Sequence, residues 1–228
     1  MKRLFDLIFS IFGIIFLSPF LLLACLAIFL QDFHSPFYIA KRVGKNNKVF
    51  NMIKLRSMII NADSNKVDST SEDDQRITKI GKIIRKFKLD ELSQIYNVLV
   101  GEMSMVGPRP NVERETYMYT TKEKKLLSVK PGITDIASIV FSDESKILKY
   151  SDDPNIAYNQ LIRPWKSRLG LLYIKKKSIH LDLAIVLITI LSLFSRKSAL
   201  YSLYQIAKRM DTPKELNEII LRRKTLKP

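Results

Sequence analysis

Arg85, Asp90, Glu91 and Arg109 are the residues whose types and spacing could do chemistry. Two adjacent carboxylates among cations can divide a phosphoryl transfer between them: the pair holds Mg²⁺ while one member attacks phosphorus. Lys54, Arg56, Lys79, Lys82, Arg85 and Arg109 could converge on a diphosphate and balance its charge. Acidic residues in a first helical turn are ordinarily caps. Surface cations ordinarily meet solvent or acidic lipid headgroups, each contributing about 1 kcal/mol near a membrane. Basic residues all around the pair favour the chemical reading over the cap. His34 and His180 read as surface or packed histidines, and Trp165 as a core or interface anchor.

Elements must hold these groups in place. Ile77, Ile80, Ile83, Ile84 and Phe87 mark one helical face; Leu89, Leu92, Ile95, Tyr96 and Leu99 mark another, out of phase with it. The chain therefore breaks near Lys88, and a second helix starts beside Asp90, where the positive end of its dipole should keep the carboxylates ionised. Val106-Gly107-Pro108-Arg109-Pro110 is neither helix nor central strand, so its prolines form a rigid loop that holds Arg109 still. Lys130-Pro131-Gly132-Ile133-Thr134 is a second turn. Tyr38 to Met58 reads as a short hairpin turning at Gly44 and Asn46-Asn47 and delivering Lys54 and Arg56, and Asn61 to Arg76 reads as a mobile acidic loop. Further on, Ile156 to Lys177 reads as a long basic helix. Leu183 to Phe194 reads as a core or interfacial helix, with Asp182 placed to cap it. Two short helices come last, the second opened by a capping box at Thr212-Pro213-Lys214-Glu215, and are expected on the membrane or a partner.

Leu7 to Leu30 is twenty-four residues without a formal charge, enough to enter a bilayer. No small-residue cleavage site comes after it, so a signal peptide is disfavoured. Pro19 lacks a backbone donor and Ser18 can take over the freed carbonyl, so a sharp bend is expected. Lys2 and Arg3 precede the segment, and Lys41, Arg42, Lys45 and Lys48 lie beyond it. The positive-inside rule places both flanks in the cytoplasm, which a re-entrant helix satisfies and a straight anchor does not.

Composition narrows the classes. Lys plus Arg is 38 against 22 Asp plus Glu, a formal net charge of +16 that calls for an anionic partner. One cysteine, Cys25, excludes an intrachain disulfide, and two histidines without paired ligands argue against zinc. Seven glycines form no Rossmann or P-loop fingerprint, and no GxSxG elbow occurs.

The bent apolar N-terminus, KLRSM at 54–58, RKFKLDELSQIYNVLVGEMSMVGPRP at 85–110 and KPGIT at 130–134 together resemble the bacterial sugar transferases, more narrowly the small monotopic phosphoglycosyl transferases. The resemblance covers residues 1–194. It implies transfer of a sugar 1-phosphate from a UDP-sugar to a polyprenol phosphate, usually undecaprenyl phosphate, with release of UMP. Asp90 would form a covalent phosphosugar intermediate, Glu91 would help bind Mg²⁺, and Arg85 and Arg109 would hold phosphates. Pro108 and Pro110 would shape the nucleotide pocket. It further implies the cytoplasmic face of the bacterial inner membrane, acidic lipids as neighbours, no nucleic-acid partner, and a chain that starts at the re-entrant segment; a homodimer is compatible with it. Where many members continue PGIT with Gly and an Asn-Gly-Arg stretch, this chain has Asp135-Ile136-Ala137-Ser138-Ile139-Val140-Phe141, so the resemblance leaves the sugar open. Ser93 replaces a proline, and Ala40 a glutamine, of that pattern.

The expected architecture is a mostly α, α/β monotopic membrane protein. Residues 1–36 form the re-entrant helix broken at Ser18-Pro19, 37–194 the catalytic domain and 195–228 a basic helical tail. Two other functions compete: an inactive scaffold of a glycan-assembly complex, and a membrane-anchored nucleic-acid-binding protein. The second has no RNP, KH or HTH signature behind it.

Overall fold

The apolar N-terminus forms one long helix, α1 (Lys2–Asp32), in the computed structural model, which describes residues 1–62, 70–71, 73–223 and 226. Pro19 cannot donate to the carbonyl of Ile15, and the Ser18 hydroxyl donates to that carbonyl at 3.0 Å. The serine thus compensates as its position before proline implied. The helical residues are nevertheless continuous from Lys2 to Asp32, not split into two helices at Ser18-Pro19. Its most apolar 18-residue window has a mean hydropathy of 2.7 and is 11% buried, so α1 is long and apolar enough to cross a membrane.

Both ends of α1 are tied to the rest of the chain. The Lys2 ammonium pairs with Asp182 at 2.7 Å and donates to the Val106 carbonyl, and the Arg3 guanidinium donates to the carbonyls of Val98 and Leu99. Asp6, buried, accepts from the Ser104 hydroxyl and the Met105 amide. At the far end Asp32 forms a two-point pair with Arg56, both contacts at 2.6 Å.

The expected hairpin is present as β1 (Phe37–Val43) and β2 (Val49–Leu55), antiparallel, with Phe37 opposite Leu55 and Asn46 and Asn47 in left-handed conformation in the turn. Helix α2 (Lys79–Lys86) comes next, capped by the Thr78 hydroxyl. The anticipated break falls at Lys88, whose φ of 57° turns the chain. Beyond it stand two short helices, α3 (Leu89–Leu92) and α4 (Ile95–Val100), where the apolar pattern predicted one. Ile95 and Val98 are buried all the same, so the second apolar face survives the division. Of the expected mobile loop, residues 63–69 and 72 lie outside the described residues. The described flank is pinned by an Arg76–Asp74 ion pair and a bridge between Met58 and Ile77.

Strand β3 (Ser104–Val106) runs parallel to β4 (Gly132–Thr134), with helix α5 (Glu113–Tyr117) in the long connection. Short strands and many helices make the molecule α/β and mostly helical, as expected. The helices α6 (Ile136–Val140), α7 (Glu144–Ile147), α8 (Pro154–Ala157), α9 (Arg163–Lys176), α10 (Ile179–Phe194), α11 (Arg196–Arg209) and α12 (Lys214–Ile220) complete the chain. The predicted basic helix is α8 and α9 joined through a π-turn at Tyr158–Ile162, just before Pro164.

The main core joins Val106, α6, α9, α10, α11 and α12, and also takes in Phe5. Leu203, Ile219 and Ile220 are fully buried in it, so the apolar faces of the last two helices belong to the core. The predicted capping box does not form: Thr212 makes no cap, and Glu215 pairs with Arg168 at 2.5 Å. Nor does Asp182 cap α10. Ser178 does so, while Asp182 sits 1% exposed between Lys2 and Tyr173. Helix α10 is both core and surface, with Ile185 buried and Leu187, Ile190 and Phe194 exposed.

Candidate active site

Position 53 of β2 is where the site is assembled. The outward-facing N–H and C=O of Ile53 would be unsatisfied on this strand edge. The Asn97 side-chain carbonyl accepts from the first at 3.0 Å, and the Ser93 hydroxyl donates to the second at 3.1 Å. Asn97, fully buried, also donates to the carbonyl of Asn51 and to Glu102. The edge of β2 is thereby stapled to α3 and α4, and Lys54, the next residue, faces Asp90 and Glu91. Ser93 does in this chain what a proline at that position could not.

The second half comes from the two loop motifs. The parallel pairing of β3 with β4 lays VGPRP against KPGIT. A Cβ on Gly132 would stand 2.1 Å from the Gly107 nitrogen, and one on Gly107 2.4 Å from the Lys130 carbonyl, so only glycine fits either position. Gly132 donates its N–H to the Pro108 carbonyl at 3.0 Å. Arg109, projecting from this braced loop, pairs with Glu91 at 2.7 Å. Its side chain remains 38% exposed although protein groups crowd it, the mark of a residue lining an open cleft.

Charge is unevenly divided between the two carboxylates. Burial works to raise Glu91, but Arg109, Lys54 and Lys88 outweigh it and hold the carboxyl at about 2. Asp90 goes the other way: burial and the Glu91 charge raise its pKa above the ordinary aspartate value, against Lys54, Arg85 and Lys88. Burial, with Arg109 nearby, pushes the Lys54 ammonium down to about 8. The expectation that a helix dipole keeps both acids ionised is thus replaced: α3 has only four residues, neighbouring cations keep Glu91 ionised, and burial with the Glu91 charge raises Asp90. Asp90 Oδ1 is buried and has no hydrogen-bond partner among the described residues.

That orphaned oxygen tests the fit of Mg²⁺. Among the described residues no three His, Cys, Asp or Glu side chains gather as a ligand set. Mg²⁺ commonly binds one or two carboxylates and completes its shell with water and substrate phosphates. Asp90 and Glu91 fit that partial set, with hard oxygen donors and one oxygen unspent.

Lys54, Arg85, Asp90, Glu91 and Arg109 are therefore brought together, with Pro108 and Pro110 in the walls beside them. Arg56 is not: its guanidinium is committed to Asp32 and to the Ser35 carbonyl at 2.9 Å, which makes it an anchor for α1. Ser18 and Pro19 lie in α1. Sequence reasoning missed a crevice on the other side of Arg109, lined by Arg109, Asp135, Ser138, Tyr158, Arg163 and Lys166. Asp135 and Ser138 were visible only as departures from the family pattern, and Lys166 only as one charge on a basic helix.

The sequence profile described as bacterial sugar transferase matches residues 1–196. A UDP-glucose:undecaprenyl-phosphate glucose-1-phosphate transferase of Klebsiella pneumoniae is 36% identical over 202 residues, which cover 87% of this chain and 41% of that protein. A UDP-N-acetylgalactosamine-undecaprenyl-phosphate N-acetylgalactosaminephosphotransferase of Aeromonas hydrophila is 33% identical over 196 residues, 83% of this chain and 42% of the other. The exopolysaccharide production protein ExoY of Sinorhizobium fredii is 37% identical over 153 residues, 60% and 68% of the two chains. The chain spans about two fifths of the length of the first two relatives. The matched region contains the whole dyad, its cations and both braced loops, and ends where α11 begins. On that match the chain belongs to the bacterial sugar transferase family.

Proposed function

We propose that this protein transfers a sugar 1-phosphate from a UDP-sugar to a polyprenol phosphate, undecaprenyl phosphate by analogy with its relatives, and releases UMP. The observation that carries the reading is Asp90: a buried carboxylate with an unpartnered oxygen, set among Lys54, Arg85 and Lys88 and beside the Glu91–Arg109 pair. A carboxylate oxygen left free of hydrogen bonds among cations suits a nucleophile for an anionic phosphorus centre. Asp90 attacks the phosphorus that bears the sugar, the bond to the UMP oxygen breaks, and a phosphosugar ester remains on Asp90. An oxygen of the polyprenol phosphate then displaces Asp90 from that phosphorus. Lys54, Arg85 and Arg109 bind the phosphates, and Glu91 with Asp90 would hold Mg²⁺, which supplies charge neutralisation at the transferred phosphoryl group. Four cations around two carboxylates disfavour a bare dication, so Asp90 and Glu91 would hold the metal only with donor phosphates sharing its charge.

The membrane arrangement belongs to the same proposal. A helix of 31 residues is about 46 Å long, more than the ~30 Å hydrocarbon core. Yet Lys2, Arg3 and Asp6 at one end and Asp32 at the other bind the same body of structure. This supports a re-entrant α1 that leaves and returns on the cytoplasmic face of the inner membrane, its exposed crest of Ile15, Phe16, Phe20, Leu22 and Leu23 in lipid. The polyprenol headgroup is then held at the depth of the dyad, where the basic surface also meets acidic lipids. The step would begin a membrane-linked glycan such as an exopolysaccharide, capsule or O-antigen.

UMP release from a panel of UDP-sugars with undecaprenyl phosphate tests the reading. Wild type releases UMP with one donor; Asp90→Asn releases none and retains its fold; Glu91→Gln loses most turnover. Appreciable UMP from Asp90→Asn overturns the nucleophile, and a wild type inert with every donor supports the scaffold reading instead.

A further inference from the structure

From the dyad toward α9, the charges alternate and run beyond the motifs that carried the family resemblance. Glu91 pairs with Arg109, Arg109 lies within electrostatic reach of Glu144, and Glu144 pairs with Lys166. Lys166 reaches the crevice from α9, its side chain only 14% exposed and its ammonium 5.3 Å from the centroid of the Tyr158 ring. Glu144 is held at the start of α7 by its neighbour Asp143, whose carboxylate lies 2.8 Å from Arg196 and 3.5 Å from Arg222. Arg163, also in the crevice wall, pairs with Glu123 at 3.3 Å, and Ser167 donates to the same carboxylate at 2.8 Å.

With Lys166 14% and Glu144 30% exposed, the pair gives up part of its hydration, and two apolar side chains could fill the same space without that cost. Arg109, Arg163 and Lys166 all face the crevice, and internal anions offset their mutual repulsion: Glu91 pairs with Arg109, Glu123 with Arg163, and Asp135 stands in the same wall. Glu144 is the direct ion-pair partner of Lys166 and acts on Arg109 through space. A lysine on a cleft wall is a point charge suited to phosphate oxygens.

We propose that Lys166 is a further donor-binding residue, a second anion grip opposite Arg109, and that Glu144 is the internal counter-ion which the donor's phosphates displace. This rests on the reading of the cleft as the site of a nucleoside diphosphate donor. It assigns to Lys166 contact with the donor and to Glu144 a competing role, and the two roles have opposite signs. Removing the lysine charge weakens binding of the phosphates. Removing the glutamate charge, with shape and hydrogen-bonding capacity kept, strengthens it.

Calorimetric titration of UDP with MgCl₂ into the full chain in lipid nanodiscs separates the outcomes without requiring turnover. Lys166→Met binds UDP about tenfold more weakly than wild type, and Lys166→Arg stays within about threefold of it. Glu144→Gln binds UDP about threefold more tightly. Unchanged affinity in Lys166→Met overturns the inference and leaves the donor reading intact. Weakening in Glu144→Gln also overturns it, since the pair is then merely structural; this arm decides the matter even should Lys166→Met fail to fold. Absence of UDP binding by wild type overturns the donor reading and the inference with it.

Discussion

At the scale of single residues, the site works by crowding unlike charges into a space where burial makes each of them matter. Lys54 shows the consequence most directly. Its ammonium is pushed down to about 8 by burial and by Arg109, so it is protonated below that pH and loses its charge as pH rises through it. The hold on donor phosphates proposed for it goes with the charge. The rate constant kcat/KM, which reports the free enzyme, should fall above about pH 8. In Lys54→Arg the guanidinium stays charged and this alkaline limb should move to higher pH. A limb unmoved by that substitution would assign the ionisation elsewhere. On the acid side Asp90, raised by burial and by Glu91, must be ionised to attack, so the rate should fall as pH drops through a value above the ordinary aspartate range. Mutating Glu91 to glutamine removes one cause of that elevation, and whatever residual rate remains should show its acid limb at lower pH.

The secondary-structure elements matter chiefly through two braces. One is the edge of β2 held by Ser93 and Asn97, which sets Lys54 against α3. The other is the β3–β4 pair, in which Gly107 and Gly132 allow two loops to meet backbone to backbone. A methyl group on Gly132 must push the strands apart, since its Cβ would stand 2.1 Å from a backbone nitrogen. Gly132→Ala should lower stability by about 1–3 kcal/mol, the usual cost of overpacking. It should lower UMP release further than that loss explains, because Arg109 moves with the loop. Thermal unfolding and turnover measured on the same preparation check both halves; an active, unshifted Gly132→Ala would show that the brace is dispensable.

For the molecule as a whole, the core ties together the first and last parts of the chain. Phe5 of α1 and Ile220 of α12 belong to the same apolar cluster. Leu200, Leu203, Leu216, Ile219 and Ile220 are buried there, and each such side chain contributes about 1.5–3 kcal/mol. Together they rival the entire stability of a typical domain, about 5–15 kcal/mol. A chain ending at Ser195 should therefore lose cooperative unfolding and become protease-sensitive, even though the family match ends at residue 196. A stable, active truncation would refute this. Topology is the second prediction at this scale. A cysteine at position 2 in a Cys25→Ser background should be shielded from impermeant label in intact cells and labelled after permeabilisation. Replacing Ser18 with Ala and Pro19 with Leu restores an ordinary helical hydrogen bond and should shift the chain toward a full span. Labelling of the native-sequence helix from outside intact cells would exclude the re-entrant arrangement.

Local chemistry is the part of this protein that the sequence determined by itself. The β1–β2 hairpin came from Gly44 and the paired asparagines, the turn at Lys88 from two apolar faces out of phase, and the Ser18 hydroxyl bond from the proline beside it. Asp90, Glu91, Lys54, Arg85 and Arg109 were legible because their residue types and neighbours already implied a shared anionic ligand. The tertiary structure decided everything that depends on distant partners. Arg56 left the site because Asp32, far away in sequence, offers it two oxygens, and Asp182 ceased to be a cap because Lys2 and Tyr173 claim it. The last two helices moved into the core because their apolar faces pack with those of α9 and α10 in one cluster. Glu144 and Lys166 became a pair only when the fold brought α7 beside α9. Periodicity and spacing report a residue's own element; a long-range ion pair or a shared core is settled by which elements pack together.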